Sequence, residues 1–88
     1  MNEATKWELV SLIISSEYRK EVLRNLDKPK TPTTISKELK INKTHISKTL
    51  KELESKNLIT CLSPNANKGK LYLITGVGKE ILKEVSNL

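Results

Sequence analysis

The 88-residue sequence predicts a mainly α fold that carries one small β-hairpin. Apolar residues recur at helical spacing through most of the chain, as in Ile46, Leu50 and Leu53. Capping residues stand ahead of the runs, at Ser15 or Ser16, Thr31, Asn42 and Thr75. Between residues 59 and 74 the texture changes to two short β-rich runs around a turn-rich stretch. The predicted order is four helices, a hairpin and a last helix.

The first helix is expected over about residues 4–14. At about 100° per residue, Trp7, Val10 and Ile14 fall on one side and Leu9, Leu12 and Ile13 on the other. One stripe serves the core; the second needs either the rest of the domain wrapped round it or a second subunit. A chain this small has little core to cover both, which favours the subunit. The second helix follows Ser15 or Ser16, with Glu17 placed against its positive dipole end, and Tyr18, Val22, Leu23 and Leu26 form its core stripe before Pro29 ends it. Thr31-Pro32 reads as an N-cap with proline in the first turn of a short helix that ends near Lys40, with Ile35 and Leu39 inward. Asn42 caps the fourth helix, and Asn57 follows its end, where a left-handed residue is common. Ile59 to Leu62 and Leu71 to Ile74 flank a polar, basic tip from Ser63 to Lys70. Thr75 caps the last helix, over about residues 76–87, whose stripe is Val77, Ile81, Val85 and Leu88.

Composition narrows the function. With 36% hydrophobic and 30% charged residues the chain suits one small globule, a single domain over residues 1–88, with no room for a substrate cavity between domains. The start, Met1 to Glu8, lacks the features of a signal peptide, and Leu12-Ile13-Ile14 is too short to cross a bilayer. A cytoplasmic protein without a membrane partner is expected. Cys61 and His45 are single, so neither a disulfide framework nor a metal site is expected, and no cofactor. The glycines Gly69, Gly76 and Gly78 form no phosphate loop, and nothing gathers Ser, His and acids into a catalytic cleft; the chain is not read as an enzyme.

The net charge of +6 is unevenly placed. Residues 1–27 hold four basic and five acidic residues, residues 28–70 hold ten and three, and residues 71–88 hold two of each. All the excess lies in the middle segment. Such a field marks either a polyanion-binding surface or a Lys-rich solvated face. Two short helices joined tightly, the second followed by a hairpin, make a helix-turn-helix with a wing: helix-turn-helix about 31–57, wing about 59–74. With Ile46, Leu50 and Leu53 inward, Thr44, Lys48 and Lys51 point outward, flanked by Lys43, His45 and Ser47. That face carries no acid in its first two turns and suits phosphates and base edges. Single-stranded nucleic acid is the poorer partner, because Trp7, Tyr18 and Tyr72 all lie outside the basic segment and offer it no stacking platform.

Residues Thr31 to Gly78 resemble the winged helix-turn-helix of MarR-type and ArsR-type transcriptional regulators, especially small archaeal members. The resemblance rests on Thr31-Pro32, Ile35-Ser36-Lys37-Glu38-Leu39, Ile46-Ser47-Lys48, Leu50-Lys51-Glu52-Leu53, Lys56-Asn57-Leu58-Ile59, and Tyr72-Leu73-Ile74-Thr75 with Gly78. Tyr18-Arg19 before Val22-Leu23 is similar to the family's second helix. The resemblance implies a homodimeric, sequence-specific regulator of double-stranded DNA with Asn42 to Lys56 as recognition helix. Lys40 and Asn57 stand where this family often has glycine; a left-handed backbone at Lys40 costs about 1 kcal/mol. The tip lacks the usual arginine, so the wing's contact rests on Lys68 and Lys70, which suit phosphates. Without the family's long added helices no small-molecule effector pocket is evident.

The expected DNA-binding residues are therefore Lys43, Thr44, His45, Ser47, Lys48 and Lys51, with Lys68 and Lys70 on the wing. The first and last helices are expected to build the dimer through Trp7, Val10, Ile14, Ile81 and Val85. Two other classes compete. One is a winged-helix adaptor that docks an acidic protein; the other is a sequence-independent chromosome-associated protein.

Overall fold

The computed structural model describes residues 3–88; Met1 and Asn2, which the reading of the N-terminus included, lie outside the described residues. Its elements are α1 (Glu3–Ile14), α2 (Glu17–Asn25), α3 (Pro32–Leu39), α4 (Lys43–Ser55), β1 (Ile59–Cys61), β2 (Tyr72–Ile74) and α5 (Gly76–Ser86). The fold is mainly α with a two-stranded antiparallel hairpin, as the sequence predicts.

Side-chain caps fix where four helices begin. Ser16 Oγ accepts from the Arg19 N–H at 3.4 Å and Thr31 Oγ1 from the Thr34 N–H at 3.2 Å. Asn42 Oδ1 accepts from the Thr44 N–H at 2.7 Å, and Thr75 Oγ1 from the Gly78 N–H at 3.0 Å. Each satisfies a donor that the helix leaves unpaired and contributes about 1 kcal/mol. Two left-handed residues close the helices that matter most here. Lys40 (φ 55°) ends α3, with the Ile41 N–H reaching back to the Ser36 carbonyl at 3.2 Å. Asn57 (φ 61°) follows α4, and the Leu58 N–H closes on the Leu53 carbonyl at 3.0 Å. Asn57 has the left-handed conformation its sequence position suggests, and Lys40 adopts it too, where the resembling family often has glycine.

The second helix ends at Asn25, earlier than proline alone requires. Its next carbonyl, of Leu26, accepts from the Ile74 N–H of β2 at 2.9 Å and so leaves the helical path. Lys30 then pairs with Tyr72 as a third, one-residue strand, through Lys30 N–H to the Tyr72 carbonyl (3.1 Å) and the reverse (2.9 Å). The sequence reading missed this bridge, because one residue has no period to detect. The hairpin register is Ile59 to Ile74, Thr60 to Leu73 and Cys61 to Tyr72.

One core joins all five helices and the hairpin. Leu9, Val10 and Ile13 of α1 meet Val22, Leu23 and Leu26, then Ile35, Ile46, Leu50 and Leu53, and finally Leu58, Ile59, Ile74 and Ile81. Arg19 adds a polar clamp beneath it. Its guanidinium donates to both carboxylate oxygens of Glu52 on α4, at 2.5 and 2.9 Å, and to the Leu12 carbonyl at 3.1 Å. Ser15 Oγ is a further acceptor at 3.1 Å. Thus α2 holds the end of α1 and the third turn of α4 with one side chain. The Arg19 hydrogen bonds hold the Glu52 carboxyl below the usual glutamate range, against a smaller opposing effect of desolvation.

At the other end, α5 approaches the chain after α4 with no space between. A Cβ on Gly78 would lie 2.2 Å from the Leu58 carbonyl oxygen and 2.7 Å from Ile74 Cγ1. The Thr75 N–H donates to that same Leu58 carbonyl at 3.0 Å, and Thr75 Oγ1 donates to the Asn57 carbonyl at 2.7 Å. The contact is backbone on backbone and only glycine permits it.

Two outcomes follow from these contacts. Gly78→Ala should destabilise by about 3 kcal/mol, lowering Tm by on the order of 15 °C, because rigid backbone must move. Calorimetry measures it, and an unchanged Tm would contradict the packing described. Glu52→Gln should cost about 0.5–1 kcal/mol at neutral pH, since the pair is partly open to water. Ionised Glu52 contributes fully above the ordinary glutamate range, and the contribution disappears as pH falls through its lowered value. Urea titrations of both proteins should therefore converge in acid below the usual carboxylate range.

Candidate nucleic-acid interface

The middle segment's charge becomes a surface through the amphipathic α4. Ile46, Thr49, Leu50 and Leu53 are buried, which turns the remaining positions outward. Lys43, Thr44, His45, Ser47, Lys48 and Lys51 are all exposed. Among the described residues the five lysines assigned to α4 and the wing, Lys43, Lys48, Lys51, Lys68 and Lys70, have no salt bridge. The acids of the segment are occupied elsewhere. Glu38 pairs with Lys30 at 3.0 Å and Glu52 with Arg19, which leaves Glu54 as the segment's unpaired carboxylate.

A cleft of about 570 Å³ opens between the first turns of α3 and α4 and the wing tip. Thr31, Pro32 and Thr33 line one wall, Lys43 and Ser47 a second, and Asn67, Lys68 and Gly69 the third. Every polar side chain in it is an ammonium, hydroxyl or amide, so the cleft can donate to an anion without repelling it. Gly69 (φ 66°) supplies the left-handed turn that carries the tip round. The loop is braced at its base by Leu62 N–H to the Leu71 carbonyl (2.7 Å) and Leu71 N–H to Ser63 Oγ (2.9 Å).

On the opposite side of α4 lies a second cleft of about 310 Å³, lined by Ser16, Tyr18, Arg19, His45, Lys48, Thr49 and Glu52. The Tyr18 and His45 rings sit 5.4 Å apart, tilted by 54°. The predicted site residues are thus divided. Lys43, Ser47 and Lys68 share the wing-side cleft, His45 and Lys48 the α2-side cleft, and Thr44 and Lys51 lie outside both. Lys70 is half-buried and does not line either. The sequence reading did not place Thr31, Thr33, Asn67 or Tyr18 at the site. Their signals were those of cap, turn and core residues, and only the fold brings them beside α4.

The first-helix expectation needs correction. Val10 (2% exposed) and Ile81 (0%) lie in the protomer's own core; Ile81 is closed to a second copy, and Val10 meets the surface only as the floor of a cleft. The reason is that α2 and α5 both pack on α1 and cover a broad stripe, so Val10 joins Leu9 and Ile13 inside. Val85 is half-buried against the same core. Trp7 (45%) and Ile14 (52%) remain exposed, and with Leu88 they edge an apolar cleft of about 350 Å³ floored by Val10. Lys6 ties α1 to α5 through Glu84 at 3.0 Å. Among the described residues no cluster of three or more metal-ligating side chains occurs, and no helix is long and apolar enough to cross a membrane.

Comparison with known proteins agrees with this architecture. The sequence pattern of the family described as winged helix-turn-helix matches residues 15–88. No curated protein sequence matches the chain. The apo form of wild-type Escherichia coli MarR has a similar fold, with a TM-score of 0.77 at 22% identity, over 98% of this chain and 66% of that one. A mutant E. coli MarR complexed with operator DNA gives 0.75 at 24% identity, over 98% and 64%. Staphylococcus aureus MarR in complex with salicylate and kanamycin gives 0.76 at 28% identity, over 91% and 58%. The chain spans only half the length of a further match, a MarR family transcription regulator (50%). With helix order, turn and wing in place and the family pattern covering most of its length, the chain belongs to the winged helix-turn-helix family.

Proposed function

We propose that this chain is a sequence-specific, double-stranded DNA-binding transcriptional regulator that acts as a homodimer. The observation that carries the reading is the outer face of α4, six exposed polar or cationic side chains beside a cleft without carboxylates. In this reading α4 enters the major groove, where Thr44, Ser47, Lys48 and Lys51 meet base edges and phosphates, with His45 beside them. Lys43 and Lys68 close on the phosphate ribbon that occupies the wing-side cleft, with Lys70 adding charge at the wing's base. A fold similar to this one, that of the mutant E. coli MarR, is complexed with operator DNA, which supports the choice of duplex as partner.

The dimer is assigned to the exposed apolar edge of α1 and the end of α5, at Trp7, Ile14 and Leu88. Large exposed apolar side chains around one cleft are what a self-complementary surface needs. Two copies so joined would present their recognition helices to successive major grooves, with half-sites about one helical turn apart.

Fluorescence anisotropy across a salt series tests the DNA reading. If about six phosphates are neutralised per dimer, the log–log slope should be near −5. Lys48→Glu with Lys51→Glu should lower affinity by about 100-fold or more and bring the slope to about −2. Full affinity in that variant would sink the proposal, and absence of salt-dependent binding by the wild type would favour an adaptor. Native upstream DNA should be preferred over scrambled duplex by roughly a thousandfold; a ratio of a few would mark a sequence-independent coating protein. For the dimer, sedimentation should show two chains for the wild type and one for Trp7→Glu with Ile14→Glu, the helical content being unchanged.

A further inference from the structure

Glu52 is a carboxylate on α4 that lines a cleft together with residues assigned to DNA. His45, Lys48 and Glu52 line the α2-side cleft together, and Glu52 stands one helical turn beyond Lys48. A bare carboxylate there would oppose a phosphate ribbon and attract the nearest ammonium on its own helix. In this structure the carboxylate is not bare. Both Glu52 oxygens accept from Arg19, while Lys48 has no salt bridge among the described residues. Arg19 is held in that pose by the Leu12 carbonyl and Ser15 Oγ, so its fork is aimed before Glu52 is met.

We infer that Arg19 is a positioning residue of the DNA-binding face, which takes up the Glu52 carboxylate and thereby leaves Lys48 available to phosphate. The inference rests on the DNA-binding reading of α4. Arg19 acts through Glu52 and touches no nucleic acid itself. Without it, the cations about one helical turn from Glu52 are Lys48 on α4 and Lys56 at its C-cap, four residues to either side, and both already act on that carboxylate electrostatically. A Glu52–Lys48 pair withdraws an ammonium from the groove-facing surface and leaves α4 with one phosphate contact fewer.

The test measures affinity for a mixed-sequence duplex across a salt series with wild type, Arg19→Met, Glu52→Gln and the double variant. Arg24→Met serves as control; Arg24 pairs with Glu21 within α2, and its loss changes the net charge equally. Arg19→Met should weaken binding by about tenfold and make the salt slope shallower by about one per protomer. Glu52→Gln and the double variant should both bind within about threefold of wild type, although the double variant also lacks the clamp and melts lower. Arg24→Met should change affinity by less than about threefold. In a cycle with Lys48→Met, the loss caused by that substitution should be smaller in the Arg19→Met background than in wild type.

A double variant as weak as Arg19→Met would overturn the inference, since the arginine would then act by direct contact or by packing. Equal losses in Arg19→Met and Arg24→Met would overturn it in favour of net charge alone. Wild-type protein that binds no duplex at all would instead remove the regulator reading on which it rests. A measurement without DNA adds an independent check: the Glu52 carboxyl titration followed by NMR should move upward in Arg19→Met, and an unmoved midpoint would contradict the role of Arg19.

Discussion

Helix α4 carries two incompatible demands, and the separation of its faces is the constraint on which the molecule depends. Ile46, Leu50 and Leu53 are fully buried among residues of every other helix, and each such side chain contributes about 1.5–3 kcal/mol. The opposite face consists of ammonium groups, hydroxyls and one imidazole, which stay in water. Rotation of α4 by a quarter turn would bury lysines and expose leucines together. The core therefore fixes the azimuth of the polar face of α4 with no specific contact to it, and the Asn42 cap and left-handed Lys40 fix where that face begins.

Around α4 the fold arranges charge as well as shape. The segment from Lys28 to Lys70 holds three acids, and two of them are neutralised inside the protomer, Glu38 by Lys30 and Glu52 by Arg19. Surface pairs of this kind add little stability. On the proposed function, their greater effect lies in what they remove, namely the free charge of two carboxylates of the basic segment. The wing completes the pattern, since its tip returns Lys68 and Asn67 to within one cleft of Lys43 and Ser47. The backbone pairing of Lys30 with Tyr72 and of Leu26 with Ile74 anchors the wing's base to the turn between α2 and α3. Helix α4 and the wing thus share one corner of the protomer.

The far side of the protomer has the opposite character. There Trp7, Ile14 and Leu88 form an apolar edge, while α5 is pressed onto the Leu58 carbonyl at Gly78 and linked to α1 by Lys6 and Glu84. Leu58 leads directly into β1, so that backbone contact stands at the base of the wing.

By itself the sequence determined the local structure: caps at Thr31, Asn42 and Thr75, with Ser15 or Ser16 ahead of α2, the closing position at Asn57, and the inward stripe of α4. Each of these depends on residues within one or two turns of each other, where propensity and period act directly. It also determined the concentration of charge that makes the middle of the chain basic. Tertiary structure alone decided which of the two stripes on α1 is interior, because Val10 and Ile81 became core only when α2 and α5 closed on α1. It alone decided that Arg19 meets Glu52 thirty-three positions away and that Thr31 and Thr33 share a cleft with Lys68. Those facts depend on contacts between segments that are distant in sequence, and periodicity along the chain carries no record of them.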